Sequence, residues 1–220
     1  MNEAIGQVLA LGVAVAVSPL PIVAVVLLLA TPRARGNGPA FLLGWLVGLG
    51  LVGTAVLLLS SAAAASDDGA PATWVSVLKL ALGALLLGLA ARQWRGRDAG
   101  GGTPKWMAAI DTFTPGKAFG VAVLLAAANP KNLLLTVGAA ASIAQTGIDA
   151  SAQAIALAVF VVIAALGVIV PVAIYFALGE RSRTLLDQLR AWLVANSAAI
   201  MAVLLLVIGA KLLGDGLSGL

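Results

Sequence analysis

Apolar positions along this chain gather into six long runs, covering about residues 4–31, 39–62, 73–94, 118–145, 152–178 and 191–213, with short polar links between them. Each is about 20 residues or longer, the length a helix needs to cross the hydrocarbon core of a bilayer. Two runs are interrupted near their middle by polar motifs: Ser18-Pro19-Leu20-Pro21 in the first and Asn129-Pro130-Lys131-Asn132 in the fourth. A proline inside a helix removes a backbone donor and frees a carbonyl. In lipid, such a break is tolerated only where protein or a water-filled cavity surrounds it. The two motifs stand 111 residues apart in a chain of 220, one in each half. Paired breaks at corresponding places in two halves point to a transporter's binding site.

The polar links carry charge unequally. Arg33 and Arg35 follow the first run, Arg92, Arg95, Arg97, Lys105 and Lys117 surround the third link, and Arg181, Arg183 and Arg190 follow the fifth run. The other side holds Asp67, Asp68, Asp149 and both termini, with Lys79 and Lys211 as its cations. By the positive-inside rule the arginine-rich links are cytoplasmic and both termini lie outside. Glu3 is the sole charge before Arg33, so the first run lacks the basic segment of a cleavable signal peptide. A bacterial inner-membrane location follows as the expectation.

Three spans per half is an odd number, so the second half enters the membrane from the opposite side. The expected fold is therefore an all-α membrane protein of six transmembrane helices, arranged as a 3+3 inverted-topology repeat with helices 1 and 4 broken. It forms a single domain over residues 1–220: repeat one about 1–95, a cytoplasmic linker about 96–117, and repeat two about 118–220. Within the linker, Thr103-Pro104 suits the start of a short helix. Trp106, Ile110 and Phe113 then share one face, as in a helix lying on the cytoplasmic leaflet. Asp111 and Lys117 are the candidate inner gate. A plain membrane anchor is the competing use of the same segment.

Composition agrees with the pattern and narrows the chemistry. The chain is 61% hydrophobic and 10% charged, with a mean hydropathy of +1.08, far from soluble norms. Histidine and cysteine are both absent, which removes imidazole and thiolate metal sites, thiol redox chemistry and His-dependent nucleophiles. No metal or cofactor is expected. The basic pI of about 10.0 belongs to topology-setting links and not to a nucleic-acid surface.

Lys131 carries the most information of any single residue. A charge at the middle of a span costs about 2.5–3.5 kcal/mol on insertion scales, and no Asp or Glu lies inside any of the six runs. Its partners are then freed carbonyls, the amides of Asn129 and Asn132, water, or an anionic ligand. The alternative is a lysine that only holds the break in shape. Asn129 and Asn132 can bind a polar head group, cap the half-helix ends, or both. Ser18, Pro19, Pro21 and Pro130 complete the candidate substrate site, and Ser18 with the prolines also fits a structural role. Ser18 and Lys131 together suggest a lysine-activated serine. Any two-fold repeat brings its breaks together, however, so no enzyme is expected. Pro171, with Tyr175 one turn on, marks a kink that either lines the pathway or only bends the helix. Gly44 and Gly48 form a small-xxx-small pair for close helix approach, within a protomer or in a homodimer. Trp45, Trp74, Trp94 and Trp192 lie near run ends and read as interfacial anchors.

These residues also carry a resemblance. The Ser-Pro-x-Pro break, Asn-Pro-Lys-Asn and the six-span inverted repeat resemble the lysine exporter (LysE) superfamily. Within it, Trp106-Met107-Ala108-Ala109-Ile110-Asp111, then Pro115, Ala118 and Gly120, then Asn129-Pro130-Lys131-Asn132-Leu133 are similar to the GAP family. Those are the glycopeptidolipid- or sulfolipid-addressing proteins of actinobacteria. The resemblance implies export, of amino acids or small ions in the wider superfamily and of surface glycolipids in this branch. It also implies that Ser18, Pro19, Asn129, Pro130 and Lys131 form the central site.

The leading expectation is an exporter or flippase for an anionic or polar-headed molecule, with a (glyco)lipid favoured. Its partners are the lipid bilayer and an anionic lipid or small polar substrate. A homodimer and a larger lipid-export machinery stay open as partners. The alternatives are a small-metabolite exporter of amino-acid type and an accessory scaffold for a larger lipid transporter. The chain has no ATP-binding motif, so work must come from a gradient or a partner.

Overall fold

The computed structural model describes residues 2–66, 73–96, 110 and 112–218. Those residues form eight α-helices and no strand: α1 (Asn2–Ala16), α2 (Pro19–Leu29), α3 (Ala34–Ser66), α4 (Thr73–Arg95), α5 (Pro115–Ala127), α6 (Pro130–Gln145), α7 (Ala150–Leu178) and α8 (Ser182–Leu217). Four of them, α3, α4, α7 and α8, are each long and apolar enough to cross a membrane, and counting each bent pair as one span raises the number to six.

Both breaks fall where the prolines demand them. The residue before a proline is pushed out of the helical region. Ser18 accordingly sits at φ −64°, ψ 116°, and Asn129 at φ −71°, ψ 118°. Each proline then opens the next helix, at a position whose missing N–H costs nothing. The axes turn by 51° between α1 and α2 and by 64° between α5 and α6.

The helices pack in pairs that exchange between halves. α1 lies along α7, α5 lies along α3, and α4 lies along α8. Close approach in the second of these uses Gly44 and Gly48. A Cβ on Gly44 would stand 2.3 Å from the Phe119 carbonyl oxygen, and one on Gly48 2.7 Å from the Ala126 Cβ. The small-residue motif is thus spent inside the protomer. The outer surface keeps large apolar side chains, among them Leu51, Leu58 and Leu59 at 61–68% exposure, as a lipid-facing wall requires.

Three expectations need correction. Trp45 is not an interfacial anchor: it is fully buried, and its Nε1 donates to the Ala164 carbonyl at 3.4 Å. Its place near a span end is overridden by the α3–α7 contact, which takes the whole indole. Trp94 and Trp192 do remain exposed, and the Trp74 side chain lies outside the described residues. Second, the link after α7 is a single 3₁₀ turn, Gly179–Arg181, so Arg183 and Arg190 stand on α8 and not in a loop. At 36 residues, α8 is about 54 Å long, well beyond a hydrocarbon core of about 30 Å. Third, the Ile110 and Phe113 side chains face inward and not outward as an exposed apolar face would. Both are buried in the core, and Asn37 of α3 donates from Nδ2 to the Phe113 carbonyl at 3.1 Å. The remainder of the proposed linker helix, with Thr103, Pro104, Trp106 and Asp111, lies outside the described residues.

At the opposite end from the arginine-bearing links, Asp149 caps α7 by accepting from the Ala152 amide at 3.0 Å. The Ser151 hydroxyl, and then that amide, hold its carboxyl below the usual range. This stabilising contribution is present above the unfolded carboxylate's pKa and is lost as pH falls through the lowered one.

Candidate functional site

Each break strands a carbonyl. In an unbroken helix the Ala14 oxygen would receive the Ser18 amide. That amide instead turns to Val15 O at 3.0 Å, and Pro19 has no N–H to offer. Into the gap comes Lys131, whose Nζ donates to Ala14 O at 2.8 Å. Leu125 occupies the corresponding place before the second break, at the same 111-residue offset. Its carbonyl takes the Asn132 Nδ2 at 3.1 Å. Neighbouring residues at the start of α6 therefore satisfy the equivalent orphan in each half.

Burial follows from this arrangement. Lys131 is 3% exposed and Asn132 is fully buried. Ser18, Pro19 and Pro21 are buried as well, whereas Asn129 is half-buried and Pro130 exposed. The second break is thus the accessible one. Asn129 caps α6, its Oδ1 accepting the Lys131 amide at 3.1 Å. Ser18 stands at the equivalent cap position of α2 but makes no capping hydrogen bond. Asn129→Ala is expected to cost about 1 kcal/mol of stability. Thermal unfolding in detergent checks this, and an unchanged Tm would show that the cap does not hold the break.

The electrostatics of Lys131 are unusual in direction. A cation at a helix N-terminus opposes that helix's dipole, while a cation at a C-terminus is favoured. Lys131 begins α6 but delivers its ammonium to the C-terminal end of α1. Its partner there is a neutral oxygen. Asn132 leaves a second unmet need: its Oδ1 is buried with no hydrogen-bond partner among the described residues. A cationic donor and an open acceptor thus stand on adjacent residues. Lys131 Nζ is held by Ala14, not by the Ser18 hydroxyl.

The other candidates stand apart from this centre. Pro171 is buried within α7, which continues through it, and Tyr175 is half-buried with its ring edge-on to Phe176, centroids 5.3 Å apart. Lys117 is exposed on the first turn of α5, where Thr114 Oγ1 accepts its amide at 3.4 Å. Its intended gate partner, Asp111, lies outside the described residues. A cavity of about 150 Å³ opens between α2 and α8, lined by Val26, Leu29, Ser182, Arg183, Leu186 and Asp187 among others.

Sequence reasoning missed one buried polar cluster. Lys79 of α4, read as an ordinary outer cation, is 3% exposed and donates to Gln145 Oε1 at the end of α6. Its position inside the third apolar run was a usable signal, but Gln145 as its partner was not legible.

Described residues that are helical throughout, with four apolar helices long enough to cross a bilayer and two bent apolar pairs, make this a multi-pass membrane protein. It belongs to the Sap, sulfolipid-1-addressing protein family, whose model matches residues 8–218. No curated protein and no solved structure matches the chain.

Proposed function

We propose that this chain moves an anionic or polar-headed molecule, best a (glyco)lipid, from the cytoplasmic side outward, through a midplane site where the two broken helices meet. The observation that carries the reading is Lys131: a buried lysine at a span break whose partner is a neutral carbonyl and not a carboxylate. A charge kept at that depth defaults to function. An anionic group would displace Ala14 O as the better partner, since it adds the attraction of opposite charges to the hydrogen bond. The open Asn132 Oδ1 adds a place for a hydroxyl donor. Anion and hydroxyl together describe a sugar bearing a sulfate, phosphate or carboxylate, and the family's sulfolipid-1-addressing description supports a lipid carrier for it.

The wider reading includes a 3+3 inverted repeat related to the lysine exporter superfamily, in a bacterial inner membrane with both termini outside. Supporting it are the exchanged packing of α1 on α7 and α5 on α3, and the equivalent orphan carbonyls at Ala14 and Leu125. The competing scaffold reading has one observation in its favour: in this structure Lys131 braces a freed carbonyl, as a purely structural lysine would.

The test is flux through purified protein in liposomes, comparing a labelled lipid with a sulfated sugar headgroup against labelled amino acids, wild type against Lys131→Ala. The expected outcome is lipid movement that the substitution abolishes. Amino-acid flux alone would give the site to a small metabolite, and movement of neither would favour the scaffold.

A further inference from the structure

Lys79 is a second buried lysine, and like Lys131 its ammonium is held by a neutral oxygen, here Gln145 Oε1. Gln145 also donates from Nε2 to Ser76 Oγ at 3.4 Å. One glutamine at the C-terminal end of α6 therefore bridges two α4 residues a helical turn apart. Asp215 of α8 lies within electrostatic range of Lys79 but bonds Lys211 at 2.5 Å.

The two lysine sites stand at opposite ends of one helix face. Lys131, Leu135, Gly138, Ser142 and Gln145 step along α6 by fours and threes, which aligns them on a single stripe. The stripe is about 20 Å long. Midway, Gly138 offers no side chain to its neighbours: an added Cβ would stand 3.3 Å from Leu212 of α8 and 3.9 Å from Leu82 of α4. Ser142 Oγ is buried on the same stripe with no hydrogen-bond partner among the described residues.

We propose that Lys79, Gln145 and Ser76 form a second binding site for a sulfate or phosphate ester headgroup. The site rests on the cluster itself; its role as a second station rests on the transport reading above. On binding, the anion replaces Gln145 Oε1 at the ammonium, while the Gln145 amide, set against Ser76 Oγ, supplies a neutral donor.

The experiment reads ligand-dependent thermal stabilisation of the purified full chain in detergent. Its probes are a short-chain lipid with a sulfated sugar, the unsulfated counterpart, and inorganic sulfate. The sulfated lipid is expected to stabilise the wild type, with binding about tenfold weaker in Lys79→Met, as for loss of one charged hydrogen bond. Lys79→Arg should retain most of the affinity. Gln145→Leu, which leaves the lysine in place, guards against a Lys79→Met protein that fails to fold, and is also expected to weaken binding. A Lys79-dependent shift with inorganic sulfate alone supports the site with the free anion as its occupant. Wild-type affinity in both Lys79→Met and Gln145→Leu overturns the proposal. Absent lipid flux alongside a Lys79-dependent shift would remove the transport reading and leave this site standing. Flux that depends on Lys131 alongside a Lys79-independent shift would do the reverse.

Discussion

Lys131→Met is expected to give a protein that folds as well as the wild type and moves no substrate. The lysine's presence at mid-span costs about 2.5–3.5 kcal/mol on insertion scales. Its hydrogen bond to Ala14 O at 2.8 Å returns about 1.5–3 kcal/mol of that. Methionine removes the buried charge but leaves the Ala14 carbonyl without a donor, at a cost of about 1–3 kcal/mol. These contributions nearly cancel, so Tm should move by no more than about 5 °C in either direction. Flux should fall to the level of empty liposomes, because methionine fills the space and offers nothing to an anion. A variant with wild-type flux would remove Lys131 from the mechanism. One that fails to fold would make the lysine a structural brace.

Gly167→Ala is expected to be among the most damaging single-methyl changes in the chain. An added Cβ would stand 1.9 Å from the Ala16 carbonyl oxygen and 3.3 Å from Ile22. The first contact is backbone at the end of α1, which cannot rotate aside as a side chain would. α7 would have to lift away from the first break, at a cost of about 3 kcal/mol or more, the upper end for overpacking. Gly120→Ala is the matched control, since nothing lies within 4 Å of its added Cβ. There the helix gains about 0.5–1 kcal/mol from the lost chain entropy of glycine. Comparing the two by Tm and by monodispersity after detergent extraction tests the close approach. Equal values would mean that α1 and α7 are loosely packed at the break.

Much of this arrangement was legible from residue pattern because the physics is local. Pro19 and Pro130 each remove a helix donor, and Ser18 and Asn129 take the extended geometry that a following proline favours, although α7 runs on through Pro171. The burial of Lys131 followed from its place in an apolar run with no acid. The choice of partner did not follow: Ala14 lies 117 residues away, and a backbone carbonyl leaves no mark in the sequence. Trp45 failed for a related reason. A tryptophan near a span end suits the interface or a helix–helix seam equally well, and only the packing of α3 on α7 decides between them. Gly44 and Gly48 announced a close contact without saying whether its other side was α5 or a second copy.

The two bonds that answer the breaks differ in what motion they permit. Asn132 to Leu125 closes within the α5–α6 pair, so it travels with that pair and braces its 64° bend. Lys131 to Ala14 reaches across to the other span, so a shift of one half against the other must sever it. One is a weld and the other a clasp. In the proposed transport cycle the lysine lets go of its neighbour for the halves to part, and an arriving anion gives it something else to hold.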